Sequence, residues 1–338
     1  MNRFNFFSHT SRLRATKWQA FGHFYSPNSQ NSFFAKNSTR FYATYRRFNG
    51  QQTVSGLNVL NNTGSRKLIG GTIVIGGIIY FSNLEEAPVS GRRRFIWTSE
   101  SIERKIGDYS YRQLLGQFRG KLLADNHPQV LKVKSIFQRI LNVSPIDESK
   151  LDWKVHVIYD PHSPPNAFVL PGGKVFVFSS IIPICKNDDG MATVLSHEFA
   201  HQLARHTGEN MSKTPIYAAL SLLLYTLTGA DMFNNLIMNA LVKMPASREM
   251  ETEADYIGLM LMSQACFDPR EAPHVWERMT QFEKTAVGRS VPEFLSTHPA
   301  STRRIQNMEE WLPKALEARA NSNCRDYNGF MALSHDLW

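Results

Sequence analysis

The chain predicts an α+β fold, mainly helical with a small antiparallel sheet, and three observations carry that reading. One helical run contains His197-Glu198-Phe199-Ala200-His201, and a second opens at Ser247 with Glu249, Glu251, Glu253 and Asp255 in its first turns. Between residues 153 and 179, short alternating segments meet at Pro171-Gly172-Gly173. Trp153–Tyr159 alternates as a strand, and Val169–Ser179 reads as two strands joined by that turn. The uncharged flanks Ala192-Thr193-Val194-Leu195 and Phe199-Ala200 place the first helix inside a domain. Residues 215–244 are mostly apolar on every side, which fits a membrane span, a re-entrant hairpin, a helix at the membrane face or a core helix. The helix from Ser247 has an N-cap-type serine and early acids.

The chemistry lies in the H-E-x-x-H string. At about 100° per residue, histidines four apart lie about 40° from each other on one helical face. Both imidazoles can then reach one zinc ion, and Glu198 between them is placed to take a proton from water. A third ligand is required. Thr207 stands where a metzincin would carry a histidine, and on a continuous helix His206 is about 140° round from His201. His206 therefore reads as a surface histidine or one behind the ligands, and the third donor has to come from another helix. Glu251 and Asp255, four apart, share a face, so one can bind the metal while the other accepts the outer N–H of a ligand histidine. Glu249 and Glu253 point elsewhere and are expected to be solvated.

Ser-His-Glu-Phe-Ala-His, together with Ser-Arg-x-x-Glu-x-Glu-Ala-Asp-x-x-Gly, resembles the integral-membrane gluzincin metallopeptidases, including the HtpX and CAAX prenyl protease types. Within them the chain is similar to a mitochondrial inner-membrane branch. The resemblance runs from about Ala87 to Leu316 and includes Gly91-Arg92-Arg93-Arg94-Phe95, Asn166–Gly173 and Ser296-Thr297-His298-Pro299. It implies a gluzincin-type domain with one zinc ion on His197, His201 and Glu251, and with Glu198 as general base. It further implies substrate-backbone contacts at Asn166 and Ala167, with an oxyanion or substrate contact at His298. Asp255 then orients a ligand histidine, and Arg304 serves structural pairing. Homo-oligomers, and inner-membrane proteins as substrates, are implied as well.

Charge divides the chain. Residues 1–84 carry ten basic and no acidic side chains, so the remainder is near neutral against a net +9 overall. The basic balance belongs to an N-terminal extension rather than a nucleic-acid-binding surface. Residues 1–42 read as a mitochondrial transit peptide, with cleavage after Tyr42, and 43–67 as a flexible linker. Residues 68–84 read as a transmembrane helix at the short end of the usual range, anchored by Arg66, Lys67 and Tyr80. The metallopeptidase domain spans 87–320, with the apolar segment 215–244 at the membrane, and 321–338 forms a tail. Flanking charges do not choose a side of the membrane; the resemblance implies a peptidase facing the intermembrane space. Arg92-Arg93-Arg94 reads either as a site for anionic lipid such as cardiolipin or as a solvated charge run.

Cys185, Cys266 and Cys324 show no C-x-x-C spacing, so a cysteine metal site is not expected. In an oxidising compartment Cys266 and Cys324 are a plausible disulfide pair. The function these readings support is a zinc endopeptidase of the mitochondrial inner membrane, active in protein quality control and stress response. Its competitors are a prenyl-protein protease of the endoplasmic reticulum and a catalytically inactive membrane scaffold.

Overall fold

A computed structural model gives the structure and describes residues 63–146, 151–229, 238, 244–285, 298, 301–322 and 324. The chain divides into two units, Met1–Thr53 and Val54–Trp338, and every described residue belongs to the second. The expected transit peptide, most of the linker, residues 230–243 apart from Met238, and nearly all of the tail lie outside the described residues.

A helix, α1 (Thr63–Ser82), leads into a two-stranded antiparallel ribbon of β1 (Leu84–Glu86) and β2 (Arg93–Phe95). Helices α2 (Glu100–Gln117) and α3 (Pro128–Asn142) follow, then strands β3 (Lys154–Ile158), β4 (Ala167–Leu170) and β5 (Lys174–Phe178). A short turn of helix leads through α4 (Ile182–Cys185) to α5 (Asp188–Leu203) and α6 (His206–Thr228). Helices α7 (Met244–Gln264), α8 (Glu271–Thr285) and α9 (Thr302–Ala320) complete the described domain.

The mainly helical α+β class holds, but the sheet is mixed rather than antiparallel. Its order is β3-β5-β4, with β5 parallel to β3 and antiparallel to β4. The expected hairpin forms at Pro171-Gly172-Gly173, where both glycines take positive φ, the left-handed region that glycine enters without steric cost. The segment after Ile158 carries the chain to the outer edge, so the returning β5 lies between its partners. All five residues of β5 are accordingly buried.

Helix α5 is buried round most of its circumference, as an apolar helix without a polar face must be. Its start is fixed by the Asn187 side chain, which accepts a hydrogen bond from the Gly190 N–H at 2.8 Å. Phe199 packs against Phe137 and Trp153, with ring centroids 5.8 and 5.5 Å away. Helix α7 crosses α5 at Gly258, where an added Cβ would lie 3.0 Å from the His197 backbone nitrogen. That close approach sets how far residues on α7 stand from those on α5.

Two expectations about the N-terminal segment change. Residues 63–67 belong to α1 and are not linker. No helix among the described residues is long and apolar enough to cross a membrane. The reason is visible in α1: its apolar stretch, Leu68–Phe81, spans about 21 Å at 1.5 Å per residue, against a hydrocarbon core of about 30 Å. Even so, no residue of α1 is buried, and Leu68, Ile73 and Phe81 are among the most exposed large apolar side chains. Residues 215–228 form the second half of α6, where Ile216, Leu220, Leu222 and Leu223 are exposed. The expected Cys266–Cys324 pair is present as a disulfide, with Cα atoms 5.3 Å apart, and Cys185 is buried and free.

Replacing Gly258 with Val should lower stability by about 1–3 kcal/mol, because the contacted atoms are helix backbone and cannot move aside. Thermal unfolding of the purified chain measures it; an unchanged midpoint would mean that α5 and α7 do not meet there.

Candidate metal centre

Three donors converge from two helices. His197 and His201 face each other from successive turns of α5, with Nε2 atoms 3.2 Å apart. From α7, Glu251 places Oε2 3.5 Å from His197 Nε2 and Oε1 3.5 Å from His201 Nε2. A tetrahedral zinc with bonds of 2.0–2.1 Å holds its donors about 3.3 Å apart, so the triangle has the right edges. The charges agree. Buried Glu198, Glu251 and Asp255 oppose the single guanidinium of Arg304, and with neutral imidazoles a divalent cation balances the set. Geometry and donor chemistry therefore fit a metal ion.

Behind His197, Asp255 Oδ1 lies 3.1 Å from Nδ1, which is the outer contact expected of it. Arg304 on α9 holds Asp255 in a two-pronged pair at 2.6 and 2.7 Å, and its Nη1 is 3.2 Å from Glu251 Oε2. The guanidinium also stacks 3.8 Å over the Trp276 ring. Burial disfavours charge on Asp255, but Arg304 outweighs it and keeps the carboxyl below its ordinary range. Burial likewise opposes Glu251, yet His197 and His298 hold it far below that range. Glu198 differs. Burial pushes its carboxyl up, and Oε1 has no hydrogen-bond partner among the described residues. A buried carboxylate so poised suits proton transfer.

His298 joins the cluster more closely than an oxyanion donor requires. Its Nδ1 is 3.0 Å from both Glu251 oxygens and 3.3 Å from His197 Nε2, while Nε2 faces Glu198 Oε1 at 3.5 Å. His197, His201, Glu251 and His298 together make a four-donor group. Asn166 and Ala167 sit where β4 begins: the Asn166 carbonyl accepts from the Phe178 N–H at 2.9 Å, and Ala167 pairs with Val177. β4 is the outer strand of its sheet and packs beside α5. Glu249 is exposed as expected.

Glu253, expected to be solvated, is not at the surface, and of the two places open to His206 the structure takes the one behind the ligands. His206 is buried, and its Nδ1 lies 2.7 Å from His201 Nδ1. It stays outside the donor group, as the angular argument expects, but not for the reason of one continuous helix: α5 ends at Leu203 and Arg205 takes a left-handed φ of 48° before α6 begins. That turn swings His206 back onto His201. Glu253 is buried too, because Ser90 and Arg92 cover the α7 face opposite Glu251. Nothing in the α7 sequence announces that cover. The same packing corrects the reading of the arginine triplet: Arg92 pairs with Glu209 and Glu253, Arg94 is buried against Glu85, and only Arg93 is exposed. The triplet is neither a lipid-binding stripe nor a solvated run.

A domain of this architecture, with two histidines and a glutamate from crossing helices beside the buried Glu198, defines a metallopeptidase. The family model described as peptidase family M48 matches residues 128–312, more than half of the chain, and the chain belongs to that family. It is similar to the mitochondrial metalloendopeptidase OMA1 of Saccharomyces cerevisiae, 52% identical over 301 residues that cover 85% of this chain and 87% of the relative. The OMA1 of Schizosaccharomyces pombe is 45% identical over 76% of this chain and 75% of its own length. The human mitochondrial metalloendopeptidase OMA1 is 27% identical over 73% of this chain and 49% of its own.

Replacing Arg304 with Met should cost about 3–5 kcal/mol, because it leaves Asp255 buried without its partner. Loosening the Asp255–His197 contact should also weaken metal affinity about 10–100-fold. Denaturant titration and chelator competition measure the two effects.

Proposed function

We propose that this chain is a zinc endopeptidase of the mitochondrial inner membrane, with its peptidase domain on the intermembrane-space side. On this reading it acts on membrane proteins in quality control and stress-linked processing. The observation that carries the hydrolytic part is the His197–His201–Glu251 triangle beside the buried Glu198 carboxylate, whose Oε1 has no hydrogen-bond partner among the described residues. Two imidazoles and one carboxylate suit zinc better than the harder cations that prefer all-oxygen sites. When bound, zinc lowers the pKa of water toward neutrality and polarises the scissile carbonyl.

The chain's own groups do the rest. Glu198 accepts a proton from water and returns it to the leaving amine. The outer strand β4 offers backbone N–H and C=O groups to an extended substrate, which enters past Asn166 and Ala167. His298, with Nε2 turned toward Glu198, donates to the developing oxyanion.

Placement rests on separate observations. The relatives from both yeasts and from human are named as mitochondrial enzymes, and the acid-free leader agrees. The exposed apolar surface of α1 supports attachment to a membrane. A Cys266–Cys324 disulfide suits an oxidising compartment better than the reducing matrix. These relatives disfavour an endoplasmic-reticulum protease, and the complete set of His197, Glu198, His201 and Glu251 disfavours an inactive scaffold.

Glu198→Gln should retain about one zinc per chain while casein cleavage falls by about 10²–10⁴-fold. Metal analysis and a chelator-controlled cleavage assay test this, and wild-type turnover by the variant would refute the assignment. Compartment is read by protease protection of a C-terminal tag in isolated mitochondria. The tag should be digested once the outer membrane is opened; survival until the inner membrane is dissolved would put the domain in the matrix.

A further inference from the structure

The His201 ring has two jobs in this site, and only one is explained by the ligand triangle. Its Nε2 faces the other donors, so the lone pair there must be free and the ring proton must sit on Nδ1. Nδ1 meets no carboxylate. It meets His206 Nδ1 at 2.7 Å, and the other nitrogen of His206, Nε2, lies 2.9 Å from Glu253 Oε2. Both His206 and Glu253 are buried, at 3% and 6% exposure.

Donor and acceptor roles along this line follow from chemistry alone. The Glu253 carboxylate can only accept, so His206 carries its proton on Nε2 and donates it to Oε2. His206 Nδ1 is then a bare acceptor, and among the described residues the group in reach to fill it is the Nδ1–H of His201. Each tautomer fixes the next, and the last one aims a lone pair at the metal position. Glu253 is itself fixed. Arg92 donates from Nε at 2.8 Å, with Nη2 2.7 Å away, and Ser90 Oγ bonds the second carboxylate oxygen. Arg92 in turn grips Glu209 through both terminal nitrogens.

We propose that His206 and Glu253, anchored by Arg92, form a positioning relay that sets the tautomer and orientation of His201 as a metal ligand. The relay replaces the single carboxylate that serves His197 from Asp255 with a two-residue path. It carries the dependence of the metal centre out to the ribbon that follows α1. His206 and Glu253 touch neither substrate nor metal; they act through His201. The proposal rests on the metal reading given above.

Three variants of the full-length chain test it, with zinc affinity from chelator competition and the visible spectrum of the cobalt-substituted protein as readouts. His206→Leu keeps volume and removes the acceptor. His206→Asn keeps an acceptor oxygen near the position of Nδ1. Glu253→Gln keeps shape, and its amide can donate to His206 and reverse the tautomer. The relay requires that His206→Leu and Glu253→Gln weaken zinc binding about 10–100-fold and alter the cobalt bands, while His206→Asn stays within about threefold of wild type. Should His206→Leu fail to fold, the contrast between His206→Asn and Glu253→Gln carries the same test. Wild-type affinity and spectrum in Glu253→Gln would overturn the relay, and so would equal losses in the Leu and Asn variants, which would mark His206 as packing only. A wild-type chain that bound no zinc would instead refute the metal reading itself.

Discussion

The contact of α5 with α7 at Gly258 is the constraint on which the site depends. Neither helix holds a complete donor set: α5 supplies two imidazoles and Glu198, and α7 supplies Glu251 and Asp255. Their backbones can approach closely enough for a shared centre only where a side chain is missing. The result is costly, since Glu198, Glu251 and Asp255 are all withdrawn from water within one small volume. Buried carboxylates persist only when opposite charge and hydrogen bonds replace their hydration. Arg304 answers for one of them, and a divalent cation held by His197, His201 and Glu251 would answer for the other two.

The parts legible in the sequence were those fixed by periodicity within one element. Four-residue spacing placed His197 with His201, and Glu251 with Asp255, and those pairs share faces as the helical repeat demands. The hairpin at Pro171-Gly172-Gly173 was readable because its backbone needs glycine. Pairing β5 with β3 was not, since a parallel contact is decided by how the intervening chain travels, which local pattern does not encode. The choice for His206 between the surface and a place behind the ligands was open for a related reason. A single left-handed residue, Arg205, sets the path that turns it onto His201. Glu253 was lost because burial of a helix face depends on what comes to lie against it. Its cover arrives from Ser90 and Arg92, more than 160 positions earlier in the chain.

The ribbon that supplies this cover docks by charge. Arg92 reaches Glu209 and Glu253, Arg205 reaches Glu103 and Glu85, and Arg94 bonds the Ala204 carbonyl and pairs with Glu85. Buried ion pairs contribute little net stability relative to apolar packing, because desolvation consumes most of the Coulomb gain. What they impose is registry: a guanidinium shifted by one position leaves carboxylates unpaired at a cost of several kcal/mol. A segment tied this way has one permitted seat on α6 and α7. The seat matters because Glu253 lies within it.

Helix α1 enters the ribbon directly and carries an unsatisfied surface. Its apolar side chains are exposed on all sides, and burying such surface gains about 25 cal/mol per Å². That surface is open to lipid or to another apolar helix. Only Asn83 separates the end of α1 from β1, and β1 holds β2 in antiparallel register with Leu84 opposite Phe95. Tyr80 on α1 also stacks on Phe95, with centroids 5.2 Å apart. A force or displacement applied to α1 therefore reaches β2 through hydrogen bonds and a ring contact, not through a slack linker. From β2 the next fixed points are Arg92, whose partners Glu209 and Glu253 lie on the helices that carry His206 and Glu253, and Arg94, which bonds the Ala204 carbonyl between α5 and α6. Such a short and polar connection permits the position of α1 and the geometry of the candidate metal ligands to depend on each other without any large rearrangement of the domain.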